Sequence, residues 1–128
     1  MPTIQELAEA IATAEGYYVP GSRPAKSNNP GSLFPGGKWG VYATRDQGWN
    51  ALRNLLTRAL AGKAGMFRDA RTWRDFAWMY VNGTLPDSKI IYESDKAQGG
   101  PDQWLRNVLR KLDVPCSPDC EWRSYIRG

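Results

Sequence analysis

A mainly α-helical domain, interrupted after its first helix by a loop or short-hairpin insert, is the fold this chain predicts. Three observations carry that expectation. Four segments repeat apolar residues at helical spacing, the stretch between the first two is dense in Pro and Gly, and no alternating run is long enough to build a sheet. At 128 residues and 41% hydrophobic, with six Trp and six Tyr, the chain suits one domain, residues 1–128, with its own core.

Thr3 and Glu6 form a capping-box pair that opens the first helix, whose inner stripe holds Ile4, Leu7, Ala8 and Ile11, and Gly16 offers a place to stop. From there to about Tyr42 the chain is punctuated by Pro20, Gly21, Pro24, Pro30, Gly31, Pro35, Gly36 and Gly37, which predicts an ordered loop. Trp39, Val41 and Tyr42 suggest a short strand or hairpin arm within it. Thr44 and Gln47 open a second helix, to about Ala61, with Trp49, Leu52, Leu55, Leu56, Ala59 and Leu60 inward. A third helix, Thr72 to Val81, with Thr72 and Asp75 resembling another cap, turns Trp73, Phe76, Ala77 and Tyr80 inward and ends before Gly83. After a polar link, Pro101 starts a fourth, with Trp104, Leu105, Val108, Leu109 and Leu112, which closes the predicted domain.

Composition narrows the chemistry. With no histidine, His-based triads, His general bases and His-ligated metals are excluded, and no cofactor is implied. The net charge of +4 favours polyanions, but the basic residues are scattered, as on a solvated surface rather than a nucleic-acid stripe. Cys116 and Cys120 flank a Ser-Pro-Asp turn and cannot enclose a zinc alone; a small disulfide loop and a pair of free thiols are both open readings. The N-terminus has no basic region followed by an apolar stretch, so export, if it occurs, is expected to use another route. A monomer without a nucleic-acid or membrane partner is expected.

Glu15 breaks the pattern of the first helix. It continues the stripe of Ile4, Leu7, Ala8 and Ile11, while Glu6 and Glu9 project from the solvated side. A carboxylate on the core-facing stripe, at the last helical turn, meets desolvation and the negative end of the helix dipole, and both favour its protonated form. A carboxyl group that keeps its proton near neutral pH is what general-acid cleavage of a glycosidic bond requires. The competing account is a structural carboxylate at the rim of the core, bonded to an arginine or a backbone amide.

Three blocks occur in order: Ala14-Glu15-Gly16-Tyr17-Tyr18, then Ser27-Asn28-Asn29-Pro30-Gly31-Ser32-Leu33, then Ala43-Thr44 leading to Gly48-Trp49-Asn50-Ala51-Leu52. Together they resemble a lysozyme-like family of phage and bacterial wall-degrading proteins, itself similar to the lytic transglycosylases. The resemblance covers roughly residues 4 to 60, and more weakly Thr72 to Tyr80 and the final helix. Ser27 and Ser32 stand where further Asn residues are common in that family, and the link between the third and fourth helices is long and polar.

The resemblance implies an α+β lysozyme-like fold with an active-site cleft, and cleavage of the bond between N-acetylmuramic acid and N-acetylglucosamine in peptidoglycan at the bacterial cell wall. Glu15 is then the catalytic acid and base. Lytic transglycosylase chemistry, in which the sugar's own C6 hydroxyl replaces water, needs this one carboxylate. Ser27, Asn28, Asn29 and Gly31 would form a substrate-binding loop, the amides facing sugar hydroxyls or N-acetyl groups and Gly31 permitting close approach. Trp39, with Tyr17 and Tyr18, would stack on sugar rings, and Tyr80 or Tyr92 would reach toward Glu15. Asp46 reads as a helix-start carboxylate, and Glu93 and Asp95 as charges of a solvated loop. The alternative is a non-catalytic glycan-binding or phage structural module that keeps the cleft.

Overall fold

The computed structural model describes residues 1–86 and 100–128. It is mainly helical: α1 (Ile4–Ala14), a short α2 (Arg23–Lys26), α3 (Arg45–Leu60), α4 (Trp73–Asn82) and α5 (Pro101–Leu112), with 3₁₀ turns at Pro35–Gly37, Gly65–Phe67 and Trp122–Tyr125. No helix among the described residues is long and apolar enough to cross a membrane.

The helix starts follow the local chemistry read from the sequence. Thr3 with Glu6, and Thr72 with Asp75, complete reciprocal capping boxes on α1 and α4, and the Thr44 hydroxyl caps α3 at Gln47. Glu15 caps the C-terminus of α1, and Gly16 follows with φ of +78°. There the Tyr17 N–H bonds Ala12 O at 3.0 Å and the Gly16 N–H bonds Thr13 O at 3.2 Å, the two-bond Schellman closure that a left-handed residue makes possible. This closure sets the direction in which Glu15 leaves the helix.

Helix α1 packs against α3 and α5, and α5 packs in turn against α4. Leu7, Ile11, Leu52, Leu56, Phe67, Trp73, Phe76, Leu105 and Val108 form the solvent-free centre. Helix α4 is enclosed over more of its circumference than one apolar stripe predicts, since Trp78 and Met79 are buried beside Trp73, Phe76 and Ala77.

Two expectations are corrected. Trp39, Val41 and Tyr42 form no strand; the described residues contain only isolated bridges, Thr3 with Arg127 and Thr72 with Glu121. The insert is closed by separate bonds, Gly40 N–H to Leu33 O and Tyr42 N–H to Ser27 O, each 2.9 Å, while asparagine side chains supply the partners a second strand would have offered. Nor does the fourth long helix close the domain. The tail beyond it returns to the core, where Trp122 is fully buried and donates its indole N–H to Ala70 O at 2.8 Å. Beside it the Arg123 guanidinium donates to the carbonyls of Ala59, Phe67 and Ala70.

Candidate active site

Glu15 stands at the end of α1, part-buried, with its carboxyl turned toward the start of α5. The Trp104 indole N–H donates to its Oε1 at 3.1 Å, and the Ser32 hydroxyl lies beside it. Burial raises its pKa above the ordinary carboxylate value, while the bonds from Ser32 and Trp104 pull the other way by favouring the charged form. None of the ion pairs among the described residues involves Glu15. The arginine-paired form of the structural account is therefore not found among the described residues, and the partners of the carboxyl are an indole and a hydroxyl.

Trp104 is itself held. Its ring stacks on Tyr80 with centroids 4.9 Å apart and planes 22° apart, and it lies tilted 6.2 Å from Phe76. Tyr80 donates its hydroxyl to Gly31 O at 2.6 Å, tying α4 to the loop that presents Ser32. Burial raises the Tyr80 pKa well above the ordinary phenol value, and the nearby Glu15 charge adds to the rise, so this phenol stays a neutral donor. Tyr80 thus reaches toward the carboxyl through Trp104 and Gly31 rather than by direct contact. Tyr92, the other tyrosine expected at the carboxyl, lies with Glu93 and Asp95 outside the described residues.

The asparagine loop is built around its own hydrogen bonds. Asn29 is fully enclosed; its Nδ2 donates to Leu33 O and Gly40 O, and its Oδ1 accepts from the Leu33 N–H. With both ends of the amide engaged it has no group left for a sugar, so the expected substrate contact is replaced by a loop-shaping role. Asn28 takes a positive φ of 50° and donates to Tyr42 O at 3.1 Å. Ser27 is buried, and its Oγ accepts the Trp39 indole N–H at 2.9 Å. The Trp39 ring is covered on one side by the Arg23 guanidinium, 4.1 Å from the ring centroid, and meets Phe34 edge-on. Ser27, Asn28, Asn29 and Trp39 therefore brace the insert, and Gly31 and Ser32 are the loop residues it carries to Tyr80 and Glu15.

Two glycines explain why the sequence blocks need one another. A Cβ on Gly48 would lie 1.7 Å from Asn28 O, so the loop rests directly on the first turns of α3. A Cβ on Gly31 would lie 2.7 Å from both Leu52 Cδ1 and the Tyr80 hydroxyl. Ser32, where the resemblance leads one to expect Asn, adopts a positive φ of 51°, a conformation uncommon for serine and found where a side chain must be aimed.

A groove of about 460 Å³ begins at Ser32 and Tyr80 and runs over Leu33, Phe34, Leu55 and Met79. Its lining is largely apolar, with Phe34 57% exposed and Arg58 as its charged member. Tyr17 packs edge-on against Trp49 and Tyr18 and is half-buried, while Tyr18 is exposed.

Ser32 and Trp104 carry most of the direct contact with Glu15, and neither was assigned a site role from sequence. Trp104 sits on an apolar helical stripe, where core packing is the default, and nothing in its spacing signals that its N–H faces a carboxyl 89 residues away. Set against protein-family models, curated proteins and solved structures, the chain matches none of them.

Proposed function

We propose that the protein is a peptidoglycan-cleaving glycosidase of the lytic transglycosylase type, with Glu15 as its general acid and base. The observation that carries this reading is the environment of Glu15. It is a part-buried carboxyl without a cationic partner among the described residues, its pKa raised by burial, oriented by an indole N–H and set beside Ser32, a residue that lines the groove. General-acid catalysis calls for a sheltered carboxyl of raised pKa whose anion already has donors. The order and content of the three sequence blocks support the same reading.

In the reaction, the Glu15 proton passes to the oxygen bridging N-acetylmuramic acid and N-acetylglucosamine as the bond from the anomeric carbon to that oxygen breaks. The leaving sugar departs with a hydroxyl, and the anomeric carbon gains positive character. The C6 hydroxyl of the same muramic acid then attacks that carbon, its proton returns to the Glu15 carboxylate, and a 1,6-anhydro end forms. Trp104 and Ser32 meet the carboxylate when it is charged, which limits the cost of giving up the proton. One carboxylate suffices for both steps.

The experiment is clearing of purified cell walls by the wild-type chain beside Glu15→Gln, followed by mass analysis of the fragments. Glu15→Gln is expected to lose about 10²- to 10⁴-fold in rate, the usual share of a general acid. Anhydro ends identify the transglycosylase and reducing ends a hydrolase. Equal clearing by both proteins would remove Glu15 from the chemistry, and wall binding without clearing by either would leave a glycan-binding module.

A further inference from the structure

The C-terminal tail holds the two thiols of the chain in a setting the glycan chemistry does not use. A turn places the Cys120 N–H on Ser117 O at 3.1 Å, the Cys116 Sγ faces Ser117 O at 3.3 Å, and the Cys120 Sγ lies 3.8 Å from Ser117 Oγ. The two thiols contact each other, and the Tyr125 hydroxyl meets both. Both are free and partly accessible. The turn between them also does structural work. Cys120 O accepts the Trp73 N–H at 3.0 Å and Pro118 O accepts the Arg74 N–H at 2.9 Å, so the tail caps the first two amides of α4 that have no partner within the helix. Asp119 adds a 2.8 Å ion pair with Arg74. Helix α4 is the one that carries Tyr80.

We propose that Cys116 and Cys120 are a disulfide-forming pair, closed by exchange with an external disulfide, and that the bond clamps the tail as the cap of α4. Contact with the Cys116 thiol holds Cys120 below the ordinary thiol value, whereas burial pushes Cys116 up to about 11. Cys120 is therefore the attacking group. Its thiolate displaces one thiolate from the donor and forms a mixed disulfide. The Cys116 thiol then loses its proton, attacks the Cys120 sulfur and expels the second donor thiolate. Two electrons pass to the donor, which leaves as two thiols carrying the two protons.

The test uses the full chain with oxidised glutathione as donor, an alkylating quench, intact mass and thermal melting. The expected product is a monomer lighter by two hydrogens that takes up no alkyl group. The closed loop spans only Cys116 to Cys120, so its constraint is at the low end for disulfides, a rise in Tm of about 5 °C over the reduced chain. Cys116→Ser is expected to stop at a mixed disulfide on Cys120, and Cys120→Ser to react about tenfold more slowly. Wild-type chain that accumulates bound glutathione, or cross-links between molecules, would overturn the pairing. An oxidised chain that melts at or below the reduced one would overturn the clamp. Neither result bears on Glu15, so this proposal and the glycosidase reading fail separately.

Discussion

Adding one methyl group at Gly48 tests whether the asparagine loop positions Ser32 against Glu15. In Gly48→Ala the new carbon falls 1.7 Å from Asn28 O, 2.8 Å from Asn28 C and 3.1 Å from Pro30 Cδ. A carbon and a carbonyl oxygen need about 3.3 Å, so the loop must retreat by about 1.5 Å. The obstacle is backbone, and no rotamer change relieves it. A shift of that size breaks the bonds that close the insert, Asn28 Nδ2 to Tyr42 O at 3.1 Å and Tyr42 N–H to Ser27 O at 2.9 Å. At about 1 kcal/mol for each lost bond, plus residual overpacking, the cost is about 3 kcal/mol, or about 10 °C in Tm. The same retreat moves Gly31 and Ser32 relative to Glu15, and a displacement near 1 Å at a reacting centre costs about 10²-fold in rate. Differential scanning calorimetry and wall clearing on the purified variant read both effects. Gly65→Ala is the control, because nothing lies within 4 Å of its added carbon, and its stability should stay within about 0.5 kcal/mol of wild type. Gly48→Ala melting like the control, or clearing walls at the wild-type rate, would refute the idea that loop and helix are pressed together to set the site.

The remaining predictions concern Glu15, its indole partner and the tail. Because the native Glu15 pKa lies above its unfolded value, the folded chain binds more protons between the two, and stability falls as pH rises through that window. Glu15→Gln should therefore raise Tm more at about pH 7 than at about pH 4, and an equal gain at both would contradict the raised pKa. Trp104→Phe keeps a ring on Tyr80 but removes the donor that favours the carboxylate, so the alkaline limb of kcat/KM should move to higher pH; an unmoved or lowered limb would show that the bond does not tune the acid. Arg123→Met removes the charged donor shared by Ala59, Phe67 and Ala70, and should cost about 3 kcal/mol in denaturant unfolding while leaving kcat unchanged per folded molecule.

The helices were legible because their signals are local. Thr3 with Glu6, Thr72 with Asp75, Gly16 and Gly83 act within a turn of their own positions, and the structure uses each as the spacing predicts. Glu15 was legible for the same reason, as a polar residue on an apolar stripe. What stayed hidden was chemistry assembled across the chain. The Trp39 to Tyr42 stretch carries strand-forming residues, yet the side chains of Asn28 and Asn29 take the backbone partners a strand would have used. That exchange can be read only once the two segments are known to face each other. The tail was missed because Trp122 and Arg123 stand in no periodic run, and single anchoring residues leave no pattern to count.

The same distinction accounts for the form of the site. A carboxyl that keeps its proton must be sheltered, and one local feature, its place on the inner stripe at a helix end, provides the shelter. Such a group is useful only if it can also lose the proton when a bond breaks, and that requires donors placed where charge appears. Ser32 and Trp104 supply them from a strained loop and from the first turn of α5, joined through Tyr80 and Gly31. Shelter without donors would give an inert buried acid, and donors without shelter an ordinary ionised carboxylate. Burial is the larger influence on Glu15 and the two opposing bonds the smaller, which leaves its pKa on the raised side. On the proposed function, a substrate oxygen brought to Glu15 would meet an acid holding its proton, with Ser32 and Trp104 as partners of the resulting anion.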